Sequence, residues 1–272
     1  MKTIIKSHIK RYVKRILSTV SDVFVGQETF REQVESLIKS LHPYHTDMEL
    51  IRIGPNGDGG YLVPNDLKNI QACFSPGVDK ISEFELGCLN HGMKIFLADK
   101  SVDKVNLDIS PDKYDFIKKF VGCTNNDDFI TMDEWVNSKL PHSNSDLLLQ
   151  MDIEGGEYNT LISTSDRLMK RFRIIVIEFH ELDKLWNKEF FQFAETAFNK
   201  ILQTHSCVHI HPNNCSPIHY HKEIAIPRVA EFTFLRNDSA SFDKFQNHFP
   251  HKLDYDNTTN NHFALPKDWY KG

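Results

Sequence analysis

Apolar residues set the first pattern of the chain. In MKTIIKSHIKRYVKRILSTVSDVF, Ile5, Ile9, Val13, Ile16, Val20 and Val23 recur at three- and four-residue steps. That spacing predicts an amphipathic helix. Lys2, Lys6, Lys10, Arg11, Lys14 and Arg15 fill its polar side, with no acid before Asp22. A second helix is predicted in QETFREQVESLIKSLHPY, with Phe30, Val34, Leu37, Ile38 and Leu41 on one side. His42-Pro43 closes it, because proline cannot continue a helix. Residues 1–45 are therefore expected to form a helical extension, 46–238 the main domain, and 239–272 a mostly irregular tail packed on it.

From Ile51 the period shortens. IRIGPNGDGGYLVP reads as a hairpin with a glycine-rich turn. Then short apolar runs alternate with helical patterns. IQACFSPGV, MKIFLADKS and YDFIKKFVG are predicted strands, with the helix ISEFELGCLNHG between the first two. TMDEWVNSKL opens a helix with Thr131 and Glu134 in capping-box spacing. SDLLLQMDIEGGE is a strand and its loop, YNTLISTSDRLMKR a helix, and FRIIVIEFHEL another strand. LWNKEFFQFAETAFNKILQTH is a long helix, and CVHIHPNNC and VAEFTFLRND close the domain as strands. Unbroken apolar strands alternating with helices predict a mostly parallel α/β sheet covered on both faces. The polar connection between the last two strands suits an antiparallel pair. Trp135 and Trp186 are expected in packing, and Glu231 with Arg236 as an ion pair.

In such a sheet, ligands bind beyond the carboxyl ends of the strands. Here those ends carry Ser75-Pro76-Gly77, Asp99, Asp152-x-Glu154, Glu178-Phe179-His180 and His209-Ile210-His211. Clustered carboxylates are costly to desolvate unless paired, so their convergence marks a candidate site. Asp99, ending the second strand, is placed to accept hydrogen bonds from a ribose diol. No GxGxxG fingerprint is present, which disfavours NAD and FAD. A ribose-bearing cofactor without a pyrophosphate remains, and S-adenosylmethionine is the obvious one. Gly77 and Asp99 are expected at that cofactor, with Ser75, Glu83 and Asp58 as further contacts.

The same residues resemble a family. LLLQMDIEGGEYNTLI followed by FRIIVIEFHEL is similar to the core of FkbM-type S-adenosylmethionine-dependent methyltransferases. Their Asp-x-Glu-Gly-x-Glu signature stands here as Asp152-Ile153-Glu154-Gly155-Gly156-Glu157. ITMDEWV resembles the segment that precedes this strand in the family, and the likeness spans roughly residues 50 to 237. It implies a Rossmann-like class I methyltransferase fold of seven strands, the last antiparallel. It also implies O-methyl transfer, often to sugars of polysaccharides or glycosylated natural products. The family's more glycine-rich first turn is replaced here by FSPGV.

A sugar hydroxyl is a weak acid, so its methylation is helped by a base or a metal. His180 suits the base by residue type, with Asp152 and Glu154 as rivals. A divalent metal such as Mg²⁺ has candidate ligands in Asp152, Glu178 and His211. Glu157, opening the next helix, is expected to favour the helix dipole. The expected acceptor is a sugar of a nucleotide sugar or a surface polysaccharide. Two alternatives stand beside it, a metal-dependent hydrolase built on the same cluster and a non-catalytic partner in glycan assembly.

The formal net charge of -5 argues against a nucleic-acid partner working through overall charge. The five cysteines lack a CxxC pair, as expected for reduced thiols in a cytoplasmic protein. No apolar run approaches the ~20 residues of a membrane span, and no secretory signal is read. The basic N-terminal helix suggests peripheral contact with an anionic membrane face or a protein partner. A homodimer is a further expectation.

Overall fold

The computed structural model describes residues 26–78, 82–105 and 110–271. The helix expected over 1–24 lies outside them. The strands are β1 (Tyr44–His45), β2 (Leu50–Ile53), β3 (Tyr61–Pro64), β4 (Ala72–Pro76), β5 (Lys94–Ala98), β6 (Tyr114–Ile117), β7 (Phe120–Gly122) and β8 (Phe129–Thr131). They continue as β9 (Leu147–Met151), β10 (Phe172–Phe179), β11 (His205–Pro212), β12 (His219–His221), β13 (Ile224–Ile226), β14 (Ala230–Arg236) and β15 (Lys244–Phe245). The α-helices are α1 (Arg31–Ser40), α2 (Glu83–Asn90), α3 (Met132–Lys139), α4 (Glu157–Ser163), α5 (Asp166–Met169) and α6 (Lys188–Leu202).

Seven strands form the central sheet in the order β11-β14-β10-β9-β4-β5-β6. Five neighbours, from β6 to β10, run parallel. β14 enters antiparallel between β10 and β11. The expected parallel sheet with an antiparallel last strand is thus present. The chain winds outward through β4, β5 and β6, then returns to β9 on the other side of β4. The order reverses between β4 and β9, and a crevice opens at such a switch point.

Alternation along β9 explains the two core layers. Leu147, Leu149 and Met151 pack with Phe74, Ile177, Phe179 and Phe232, under α3, α4 and α6. Leu148 faces the other way and packs with Cys73, Ile174, Val176 and Leu235, under α2 and the β2–β3 hairpin. Trp135 is fully buried edge-on to Phe74, with centroids 5.0 Å apart. α1 lays Val34, Leu37, Ile38 and Leu41 into the first layer, together with Trp269 of the tail. Phe30 departs from the expected inward side. It precedes the helix and stands 67% exposed.

Other local expectations are modified. The segment YDFIKKFVG breaks into β6 and β7, and β7 pairs with β8 instead of joining the sheet. The single helix expected over 158–171 is two, because Ser165 starts a new one by accepting from the Leu168 amide. Thr131 caps α3 by accepting from the Glu134 amide, but Asn125 Oδ1, not Glu134, receives the Thr131 N–H. The connection between β11 and β14 holds an extra hairpin, β12–β13. The tail has little regular structure yet is anchored, with β15 on β1 and Trp269 Nε1 donating to Ala225 O. Among the described residues, no helix is long and apolar enough to cross a membrane. All five cysteines are free thiols.

Candidate functional site

The switch point is closed by a contact that only glycine permits. Gly77 has φ +86°, and a Cβ there would lie 1.5 Å from the Asp152 carbonyl oxygen. The Asp152 amide in turn donates to Pro76 O at 3.2 Å. β4 and β9 therefore meet backbone to backbone at the floor of the cleft. Gly77, Asp99, Asp152, Glu154 and His180 line that cleft, where the strand-end pattern anticipated them, and Asp58 of the β2–β3 turn joins them.

On the β5 side, Asp99 is 8% exposed and already engaged. Its Oδ2 accepts from Val78 N at 3.0 Å, and its Oδ1 from the amide and hydroxyl of Ser101, both at 2.7 Å. A carboxylate offers about four acceptor positions, so Asp99 ties the loops after β4 and β5 together and keeps one position for a ligand. Ser75 sits beneath, fully buried, donating to Gln150 Oε1 at 2.7 Å. Gln150 Nε2 donates on to Tyr61 Oη at 3.3 Å. Burial pushes the Glu85 carboxyl upward, against its bond with Ser75. Glu85 Oε1 bonds Ser75 Oγ and completes the chain. Glu83 does not take the expected place. It is exposed at the start of α2, while Glu85 lines the inner end of the cleft. Helical positions two apart differ by about 200° in facing, which separates these two acids.

On the β9–β10 side, the loop Asp152–Glu157 folds around Glu157. Glu157 is fully buried, and its Oε1 accepts from Ile153 N and Gly155 N, both at 3.1 Å. The same oxygen receives His180 Nδ1 at 3.2 Å. Glu157 therefore shapes the turn and fixes the imidazole, a role beyond the expected dipole contact. Gly155 takes φ +100°, and Glu154, unusually for a non-glycine residue, takes φ +54°. Strained non-glycine backbone of this kind concentrates at functional sites.

The other ring nitrogen, His180 Nε2, faces three carboxylates. Glu154 Oε2 lies at 3.4 Å, Glu178 Oε1 at 3.7 Å and Asp152 Oδ1 at 3.9 Å. Burial raises Asp152 to about 7, helped by Glu154, Glu157 and Asp58 and opposed by His180. Burial also pushes Glu178 well up, with Asp152, Glu231 and Asp58 adding to it and Asn213 opposing. For His180, burial acts downward, but the bond to Glu157 and the surrounding carboxylates win and raise it. The pocket thus favours a positive charge at Nε2.

His211 does not join this group. Its Nδ1 lies 3.8 Å from Asp254 Oδ1, while His209 Nε2 bonds that oxygen at 2.8 Å. Both histidines share a face, as their spacing implied, but they face the tail. Glu231 is buried and is bonded by Asn257 Nδ2 at 2.6 Å. Arg236, at the other end of β14, pairs with Asp146 and Asp238. The expected Glu231–Arg236 ion pair is therefore not formed, because the two lie at opposite ends of the strand. Asp254, Asn257 and Glu85 are contributors that the sequence pattern did not single out. Asp254 reaches His209 from 45 positions along the chain, with no local spacing to reveal it.

Residues 99–207 match the family described as Methyltransferase FkbM domain. The matched stretch begins at the tip of β5 and contains the Asp152–Glu157 loop, Glu178 and His180. No curated protein matches the chain. The seven-stranded sheet with one reversed strand, together with this match, identifies a Rossmann-like methyltransferase fold.

Proposed function

We propose that this chain, which resembles FkbM-type methyltransferases through residues 99–207, is an S-adenosylmethionine-dependent O-methyltransferase acting on a sugar hydroxyl. The observation that carries this reading is the meeting of Gly77 and Asp152 at the switch point, with Asp99 on one side and His180 with its carboxylates on the other.

The residues present fit the cofactor. Gly77, packed against the Asp152 carbonyl, presents bare backbone in the cleft lining. Asp99 keeps an acceptor position for a ribose hydroxyl. Acidic walls suit a ligand carrying a sulfonium and an ammonium. Bound S-adenosylmethionine supplies an electrophilic methyl group.

The protein's share is alignment and proton removal. Asp152 and His180 orient the acceptor hydroxyl, held in place by Glu157 and the β9 backbone. Glu154 is the member of the group most open to solvent, its side chain 86% exposed. It receives the hydroxyl proton and passes it to water. Held at Gly77 and Asp99, the cofactor would supply the methyl carbon to that oxygen and would retain the electron pair of the carbon–sulfur bond.

The charge of the cleft narrows the acceptor. Asp58, Asp99, Glu154 and Glu181 line it, with Asp152 and Glu178, whose carboxyls burial pushes up, against Arg228 and His180. Such a surface repels a pyrophosphate, which favours an uncharged sugar of a polysaccharide or glycoside over a nucleotide sugar. Calorimetric titration with S-adenosylhomocysteine tests the cofactor assignment. Saturable binding is expected, weakened at least tenfold by Gly77→Ala and by Asp99→Asn. A folded wild-type protein that binds none would defeat the reading. Transfer of labelled methyl to neutral glycans, and not to nucleotide sugars, tests the acceptor.

A further inference from the structure

We propose that Asp152, Glu178 and His180 form a binding site for one divalent first-row cation such as Mn²⁺, which holds the oxygens of the acceptor. The proposal deepens the methyltransferase reading and rests on it for the acceptor, but not for the cation.

Each of the three residues offers a ligand atom, and these atoms all lie within 4.8 Å of one another. Ligands at ~2.1 Å from a shared ion stand ~3.0 to 3.5 Å apart. His180 Nε2 lies 3.7 Å from Glu178 Oε1 and 3.9 Å from Asp152 Oδ1, so a small inward movement closes the set.

The surroundings show a built site and not only a collection of acids. Glu178 is 5% exposed, lines the cleft, and its Oε2 has no hydrogen-bond partner. Asp152 Oδ1 is likewise buried and unpartnered. The ligand residues are also held in place by neighbours. Asn213 Nδ2 donates to Glu178 Oε1 at 3.0 Å and fixes that carboxylate. Glu157 holds His180 Nδ1, which leaves Nε2 directed at the two carboxylates. Hydrogen bonds from a neighbouring carboxylate or amide are how metal ligands are oriented. Buried oxygens left without partners cost free energy unless something positive meets them.

Two carboxylates and one imidazole, open on the cleft side, suit an ion that accepts both oxygen and nitrogen donors and keeps positions for exchangeable ligands. Those open positions face the space assigned to the acceptor. Two neighbouring hydroxyls of a sugar would complete the coordination, so the acceptor class is a vicinal diol. This division leaves Glu154, at the rim, free to take the proton.

The test is titration of Mn²⁺ into the purified wild-type protein, read by the loss of the free-ion electron paramagnetic resonance signal. One saturable site is expected, with affinity reduced at least tenfold in Glu178→Gln and in His180→Gln. Mn²⁺ should also raise the melting temperature of wild type and not of Glu178→Gln, a reading that requires only that each protein melts cooperatively. Wild-type protein with no saturable site, or with a site unchanged in both variants, overturns the proposal. Parallel titration with S-adenosylhomocysteine separates the two claims. Cofactor binding without a Mn²⁺ site removes the metal alone. A Mn²⁺ site without cofactor binding keeps the metal and replaces the methyltransferase with a metal-dependent hydrolase.

Discussion

β9 has an aspartate at each end, and the two are treated in opposite ways. Asp146, just before the strand, meets two guanidiniums. Arg173 Nη2 lies at 2.6 Å and Arg236 Nη1 at 2.6 Å. Although burial acts upward, those bonds hold its carboxyl below the usual range. Asp152, just after the strand, meets Glu154, Glu178 and a shared histidine, and burial lifts it to about 7. The first aspartate joins β9, β10 and β14 at their lower edge. The second leaves buried oxygens without partners. Pairing marks the end that holds the sheet together, and the unpaired end is where a ligand is awaited.

Removing Asp146 should give the largest effect. Asp146→Ala leaves two mostly buried guanidiniums facing each other, which costs about 3 kcal/mol. In a chain of this size that lowers the melting temperature by roughly 6 to 12 °C, readable by calorimetry. Methyl transfer measured well below melting should stay near wild type. Loss of activity with unchanged melting would erase the distinction between the two ends.

The same lower edge should set the acid limit of the fold. His205 is 1% exposed, its Nε2 donating to Phe172 O at 2.7 Å and its Nδ1 accepting from Thr204 Oγ1 at 2.8 Å. Burial lowers its pKa from 6.5 to about 4, with Arg236 also acting downward and Asp238 upward. The unfolded chain then binds the proton first. Stability is fully present above pH ~6.5 and falls as the pH drops towards ~4, by roughly 3 kcal/mol. Denaturant melts across that window should show the loss, and His205→Gln, which can still donate to Phe172 O, should flatten it. An unchanged slope in the variant would assign the acid limit elsewhere.

At the upper end the expected effect is on turnover. Asp152→Asn keeps the volume and the backbone contact with Gly77. It should lower methyl transfer about 100-fold, with the melting temperature held. Near-normal turnover would remove Asp152 from the reacting group.

Much of this contrast was legible in the sequence, and the reason lies in period. Apolar runs such as LLLQM and FRIIVIEF fixed β9 and β10, so the residues that follow them had to stand at one edge. Asp152, Glu154, Glu178 and His180 were therefore placed by chain connectivity alone. What depended on angle was less accessible. Glu83 and Glu85 both open α2, and only the facing of the helix sends Glu85 inward. What depended on distant chain was hidden. Asp254 reaches His209 from the tail, and Arg236 crosses one strand, β10, to reach Asp146. His211 carried the right chemistry for a ligand but meets that tail aspartate instead, because β14 stands between β11 and β10 and places Glu231 between His211 and Glu178.

The smallest effect is also the sharpest comparison. At the lower end a lost charge should always destabilise, since each charge there has a partner. At the upper end the opposite sign is expected. Glu178→Gln retains the shape of the side chain, and its amide oxygen can still accept from Asn213 Nδ2. It removes a buried acid that stands beside Asp152 and Glu231. A buried carboxyl crowded by other acids is held at a cost that an amide avoids, and sites held for function tend to gain stability when they are disarmed. A gain of up to about 1 kcal/mol is expected in metal-free buffer, or roughly 2 to 4 °C in melting temperature. Added Mn²⁺ should reverse the order, raising wild type above the variant. A Glu178→Gln protein that melts lower than wild type without any metal would mean that this carboxylate supports the fold as Asp146 does, and the division between the two ends of β9 would fail at its most buried residue.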